Sequence, residues 1–330
     1  MNALASTRPG HVVCVGQAVL DRIYVVQKIP AVPGKARALD MLEVGGGIAS
    51  NASVAIARLG SPVALWARVG DDVAGHKVID QLAKEKVDVR HVRSLPNARS
   101  SSSVVIVESS GERLIVNDPG LGLDTDPSWL PTATLAADQV KCVLADPRWP
   151  EATLLAFQAA RLAGIPTLLD AEMGSSRLAE LISLTDYCIF AEKALAEFVA
   201  DKLDLDTTNQ HSIWAALNIA RAAGVRHAGV TLGARGYRWV SDSEPAGIHA
   251  GFVVPVVDTT GAGDAFHGAF AWALAQGFND APAVHLATAV AAINCTKPGG
   301  TAGLPTHQVL EQFLATATTA GQSRAKSFNQ

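Results

Sequence analysis

Short apolar runs alternate with helix-patterned stretches along most of this chain, and that rhythm constrains the fold more than any other feature. His11–Gly16 (HVVCVG) is a buried-strand pattern ending in glycine. Similar runs follow at Val63–Ala67, Cys142–Ala145, Pro166–Leu169, Tyr187–Phe190 and Ala228–Leu232. Between them, Ala49–Leu59, Ala74–Glu85, Ala152–Ala163 and Ser212–Ala223 carry Ala and Leu at helical spacing. Strand, helix, strand at this interval predicts βαβ units and a mostly parallel, doubly wound sheet. Gly60, Gly164 and Gly224 each follow a helix pattern, where the left-handed cap suits glycine. The last third reads as helical over Ala262–Gln276, Pro282–Cys295 and Thr306–Thr318.

Two stretches break the rhythm. Ile23–Val44 is strand-like, with Pro30, Pro33 and Gly34 inserted. Ser101–Asn117 reads as two alternating strands joined by Ser-Ser-Gly, a hairpin. These segments, at about 22–45 and 101–119, are expected to form a small antiparallel sheet projecting from a single α/β domain over 1–330. Such a sheet would serve as a lid or dimer surface. The alternative is a pair of extra edge strands on the main sheet. The polar tail, 321–330, is expected to be disordered.

Charge and cysteine usage remove several function classes. The 27 basic and 31 acidic residues give a net charge of −4, so no basic field is present to hold nucleic acid. No apolar run reaches the roughly 18 residues that a membrane span needs. Cys14, Cys142, Cys188 and Cys295 lie far apart, which excludes a disulfide scaffold or structural zinc site and suits a reducing compartment. The first ten residues lack the apolar core of a signal peptide, so the expected location is cytoplasmic.

Asp258-Thr259-Thr260-Gly261-Ala262-Gly263-Asp264 runs directly into a helix pattern. A glycine-rich turn opening a helix gathers free backbone N–H groups and the positive helix end at one point, which makes an anion site. A carboxylate beside that anion would repel it unless it serves the chemistry. Asp264 suits the base that accepts the proton of an attacking hydroxyl, while Gly261, Ala262 and Gly263 hold the charge on a transferred phosphoryl group. The alternative is a plain helix cap. Neither a P-loop pattern nor a dinucleotide fingerprint after the first strand is present. Further upstream, Val44-Gly45-Gly46-Gly47-Ile48-Ala49-Ser50-Asn51 also opens a helix. Its glycines leave backbone groups open to a ligand rich in hydroxyls, and Asn51 both donates and accepts, as a sugar diol requires.

Together these motifs resemble the PfkB (ribokinase-like) family of carbohydrate kinases. Asp258–Ala271 is similar to the family's C-terminal signature. Gly45–Gly60 with Val69-Gly70-Asp71-Asp72 and Gly75 is similar to its N-terminal one. Thr231-Leu232-Gly233-Ala234-Arg235-Gly236 resembles its nucleotide-side segment. The resemblance runs from Val12 to about Pro305. It implies a three-layer α/β sandwich with a β lid that often mediates homodimers, and transfer of the ATP γ-phosphoryl group to a sugar alcohol. Carried over, Asp264 is the base and Gly261–Gly263 the anion hole. Thr231, Gly233, Gly236 and Asn294 fall on the ATP side, and Asp21, Gly46, Gly47 and Asn51 on the sugar. The family's N-x-x-E segment, which orders magnesium-bound water, falls at Ala191-Glu192-Lys193-Ala194. Its pattern is absent there, and Glu192 stands in as the magnesium-side residue. Asp258 and Thr260 match positions beside a monovalent cation, so K+ is implied alongside Mg2+.

A narrower resemblance is to the sulfofructose kinases of that family, which act on 6-deoxy-6-sulfofructose. Leu20–Tyr24, Gly111–Arg113, Val143–Trp149 and Cys295–Gly300 carry it. A sulfonate spreads one negative charge over three oxygens and wants a guanidinium, an ammonium and neutral donors. Arg148, Lys35 and Asn117 are expected to supply them. Fructose 6-phosphate, fructose, ribose and 2-keto-3-deoxygluconate are the competing substrates. A non-catalytic sugar or nucleotide sensor is the rival from another class. His267, one turn past Asp264, reads as a packed helix residue close enough to tune that carboxylate.

Overall fold

The computed structural model describes residues 10–31, 34–108 and 113–317. The expected disordered tail and most of the Gly111–Arg113 string lie outside them. In chain order the elements are β1 (His11–Val15), β2 (Val19–Val26), β3 (Ala38–Gly46), α1 (Ile48–Arg58), β4 (Val63–Gly70), α2 (Val73–Lys84), β5 (Val92–Leu95), β6 (Ser102–Glu108) and β7 (Arg113–Asp118). Then come β8 (Val140–Ala145), α3 (Pro150–Leu162), β9 (Thr167–Ala171), α4 (Leu178–Ser183), β10 (Tyr187–Ala191), α5 (Glu192–Val199) and α6 (Gln210–Ala222). The chain closes with β11 (His227–Thr231), β12 (Tyr237–Ser241), β13 (Gly247–His249), α7 (Ala262–Ala275), α8 (Asp280–Asn294) and α9 (His307–Thr316).

Nine strands form the main sheet among the described residues, in the order β13-β12-β11-β10-β9-β8-β1-β4-β5. Pairing is parallel from β11 to β5, and β12 and β13 add antiparallel at one edge. Alternate residues feed two cores. Val12, Cys14, Leu65 and Ala67 pack with α1, α2, α7 and α8, while Val13, Val15, Ala64 and Trp66 pack with α3 to α6. Burial on both faces is why these strands read as continuous apolar runs. β5, α4, α5, β12 and β13 were not expected from the sequence. They are short or sit at the sheet edge, where periodicity is weakest.

The expected small sheet forms separately, with four strands ordered β3-β2-β6-β7, rather than as extra edges on the main sheet. Its outer pairings are antiparallel, and the central β2–β6 pairing is parallel. One row across it carries Val44, Asp21, Ser103 and Asn117. Buried Ile23 and Val105 share that face, which turns it toward the main sheet.

Candidate active site

Strand order reverses between β1 and β8, and open α/β sheets form a ligand crevice at the carboxyl ends of such a pair. The start of α7 closes this crevice. Gly261 caps α7 in the left-handed region, with φ 70. A Cβ there would lie 2.4 Å from the Gly300 carbonyl oxygen, so the turn requires glycine. Within that turn the Ala262 N–H donates to the Thr259 carbonyl at 3.3 Å, and the N–H groups of Gly261 and Gly263 open the positive end of α7, whose first turn holds Asp264.

Asn51, on α1, donates from Nδ2 to Asp264 Oδ2 at 2.7 Å. The two glycine-rich motifs, 213 residues apart in sequence, therefore meet at one carboxylate. Asn51 Oδ1 is buried with no partner among the described residues, an acceptor placed for a hydroxyl. Burial pushes the Asp264 carboxyl up to about 7, with the negative charges of Asp170 and Asp146 adding to it and Asn51 and His267 opposing. A carboxylate poised near neutrality is matched to proton abstraction from an alcohol.

Asp146 follows β8 and is wholly buried. It accepts from the backbone N–H groups of Gln17 at 2.8 Å, Ala49 at 3.1 Å and Arg148 at 2.8 Å. It thus ties the ends of β1 and β8 to the start of α1. A Cβ at Gly16 would meet its carboxylate at 2.1 Å, which leaves that position to glycine. Desolvation pushes Asp146 up to about 6.

On one side of Asp264 lies a mostly apolar cavity of about 260 Å³. Thr231, Gly233, Gly236, Phe252, Ala291 and Cys295 line it, and it reaches Ala262 and Gly263 at the anion-binding turn. Asn294 does not line it. That side chain is wholly buried and donates to the carbonyls of Thr260 at 3.2 Å and Gly300 at 3.1 Å, so it braces the loops behind the turn. Its neighbour Cys295 occupies the cavity wall instead.

A second, polar cavity of about 500 Å³ is bounded by Gln17, Ile48, Arg68, Asn117, Arg148 and Glu172 among others. Asn117 donates to Ser103 Oγ at 3.1 Å, and Ser103 in turn hydrogen-bonds Asp21. Asp21 lies against Gly46, where a Cβ would come within 2.0 Å of its carboxylate. Burial raises the Asp21 carboxyl. Arg148 is exposed and has no carboxylate partner among the described residues. Lys35 departs from expectation. It is exposed on the loop before β3 and lines neither cavity.

Glu192 opens α5 and accepts at Oε1 from Arg235 at 2.6 Å and from Thr207. Glu172 and Glu192 border a common cavity. Asp258 accepts at Oδ1 from the Thr260 N–H and hydroxyl, each at 2.8 Å, and at Oδ2 from Gly299 N at 2.8 Å.

Sequence reasoning missed Arg68, Asp146 and Asp170. Each is a charged residue inside or ending an otherwise apolar strand run, where an unexplained charge is the available signal. Arg68 sits over the Trp149 ring at 4.6 Å.

A match to the pfkB family of carbohydrate kinases spans residues 10–307. The chain belongs to that family. It is similar to the ribokinase of Haemophilus influenzae, at 30% identity over 82% of this chain and 87% of the relative. The Bacillus subtilis ribokinase is 26% identical over 92% of this chain and 99% of its own length. A solved structure from Agrobacterium tumefaciens matches with TM-score 0.85 at 32% identity, covering 93% of this chain and 99% of that one. Arabidopsis thaliana ribokinase, solved with ribose and ATP, matches in fold with TM-score 0.82 at 24% identity, over 93% of this chain and 99% of that one. This pfkB-family chain is an ATP-dependent sugar kinase, a phosphotransferase with an alcohol group as acceptor. No helix among its described residues is long and apolar enough to cross a membrane.

Proposed function

We propose that this kinase phosphorylates an anionic ketose, 6-deoxy-6-sulfofructose, at its C1 hydroxyl. The observation that carries the reading is the pairing of Arg68 and Arg148 with the amide of Asn117 around one cavity. Two guanidinium groups and an amide suit a sulfonate better than a neutral sugar, which would leave Arg148 unengaged, whereas Arg68 already donates to the Asp124 carbonyl and lies over the Trp149 ring. Glu172, on the same wall, offers an acceptor to the sugar's hydroxyls. Lys35 is not part of this argument.

In the proposed reaction Asp264 takes the C1 hydroxyl proton. The alkoxide oxygen bonds to the γ-phosphorus as its bond to the β–γ bridging oxygen breaks, giving 6-deoxy-6-sulfofructose 1-phosphate and ADP. The N–H groups of Gly261–Gly263 hold the charge that spreads over the transferred oxygens. Magnesium, when bound with the nucleotide, would neutralise the phosphate oxygens. Glu172 and Glu192 are carboxylates of the type that order its water shell, and Glu192 Oε2 is the oxygen not engaged by Arg235 and Thr207. Asp258 and Thr260 remain the candidates for a K+ site. The loop bracing by Asn294 suits a position where bound cation and anion-hole geometry are linked.

Ribose is the second reading, favoured by the similarity to two ribokinases. The test is ADP release with Mg-ATP against 6-deoxy-6-sulfofructose, fructose 6-phosphate, fructose and ribose. Selective turnover of the sulfosugar is expected. Preference for ribose or fructose would discard the anionic substrate, and preference for the phosphate would keep the anion pocket and change its occupant.

We also infer a homodimer through the outer lid face. Met41, Tyr24, Ile106 and Leu114 form one row across that face, and Met41 and Leu114 are about half exposed, at 49% and 47%. A solution mass of one chain would remove this inference.

A further inference from the structure

His267 lies on α7 one turn beyond Asp264, and its ring is almost wholly buried. Its Nδ1 is 2.6 Å from the Gly263 carbonyl oxygen and 2.9 Å from Asp170 Oδ2. Both contacts fall on one ring nitrogen and both partners are acceptors, so Nδ1 carries the proton and shares it between them. Asp170 is itself buried, near the end of β9. A buried imidazole thus links the central sheet to the carbonyl of Gly263, one of the three residues of the anion-binding turn. The ring is influenced by two carboxyls, Asp170 on β9 and Asp264 on α7, and Asp264 in turn feels Asp146 after β8 as well as Asp170.

We propose that His267, anchored by Asp170, is a positioning residue for phosphoryl transfer: it clamps the Gly261–Gly263 turn and supplies the positive charge that keeps Asp264 ionised among its acidic neighbours. The clamp acts through the Gly263 carbonyl, because fixing that peptide fixes the helix start from which the N–H groups project. The charge acts through space. Asp170 and Asp146 both disfavour an ionised Asp264, and an imidazolium beside it favours ionisation. Asp170 and Asp264 in turn hold a proton on His267 against its burial. The proposal rests on Asp264 as the base. If Asp264→Asn kept full turnover that reading would fail, whereas normal behaviour of the His267 variants with an inactive Asp264→Asn would defeat the positioning role alone.

The experiment measures kcat and both KM values from pH 5.5 to 9, with Mg-ATP and the sulfosugar, or ribose if that is the sugar turned over. His267→Phe removes donor and charge. It is expected to lower kcat at pH 7 about ten-fold, to leave both KM values within about three-fold, and to move the acid limb up by about one pH unit. His267→Asn keeps a donor where Nδ1 stands but cannot carry charge. Above the limb it is expected to recover kcat to within about three-fold of the parent, while the limb stays displaced. An unmoved limb in both variants would overturn the proposal. So would an equal loss of kcat at every pH in both, since that is the signature of lost packing. His267→Asn alone decides the charge question if His267→Phe fails to fold.

Discussion

The apolar cavity is walled by Gly233, Gly236, Gly251, Ala291 and Ala292 with few polar side chains, whereas the polar cavity sets Arg68, Arg148, Glu172 and Asn117 around its opening. In the proposed function one end recognises by shape and by backbone N–H groups, and the other by charge. Asp264 lines neither of them, and its pKa is set by buried neighbours that belong to neither wall. On the proposed function, the contrast puts catalysis at Asp264, nucleotide binding in close backbone approach, and substrate choice in a few side chains on separate elements. Substitutions should therefore separate along the same lines.

The largest effect is expected at the centre. Asp264→Asn should lower kcat about 10³-fold while ATP affinity, read by titration, stays within a few-fold. Loss of ATP binding in that variant would merge centre and nucleotide end. Next in size, Arg148→Ala should raise KM for the sulfosugar about 30-fold, with the ATP KM unchanged, because one charge-assisted contact of roughly 2 kcal/mol is removed. Equal changes for charged and neutral sugars would break the assignment of charge recognition to that end. Smaller again, Cys295→Phe should crowd the apolar cavity and raise the ATP KM about ten-fold, leaving the sugar KM alone, since overpacking costs on the order of 1–3 kcal/mol.

The smallest effect is on stability, and its sign is informative. Asp264 and Asp146 have carboxyls raised to about 7 and about 6 from 3.8, so the folded chain binds more protons than the unfolded chain across that window. Their contribution to stability therefore falls as pH rises from about 4 to 7. Asp264→Asn removes the larger of the two penalties. It should raise Tm at pH 8, by about 2–4 °C per kcal/mol relieved, and by less at pH 5, as read by thermal unfolding. A lower Tm at pH 8 would show that the ionised carboxylate is not desolvated as described.

The two ends also differ in how far the sequence revealed them. The anion turn is local: Gly261, Ala262, Gly263 and Asp264 are contiguous, and backbone geometry follows from glycine spacing. The alternation of apolar runs likewise announced six of the parallel strands within a few residues, because burial on both faces leaves a continuous hydrophobic signature. The polar cavity is assembled by topology. Arg68 comes from β4, Asn117 from β7 and Arg148 from the loop after β8, and no periodicity joins them. Lys35 shows the converse, a suitable charge in a suitable loop that the fold leaves outside. Asn294 and Cys295 are adjacent, yet the helix turns one into the core and the other into the cavity, a distinction that a one-residue shift along a helix erases.

The most direct measurement is the ratio of kcat/KM for 6-deoxy-6-sulfofructose to that for ribose, taken in the parent chain and in Arg148→Ala. If charge at the polar cavity selects the substrate, the ratio is expected to exceed about 100 in the parent, from two charge-assisted contacts, and to fall at least ten-fold in the variant. A ratio below one in the parent, or one that the variant leaves unchanged, would contradict it.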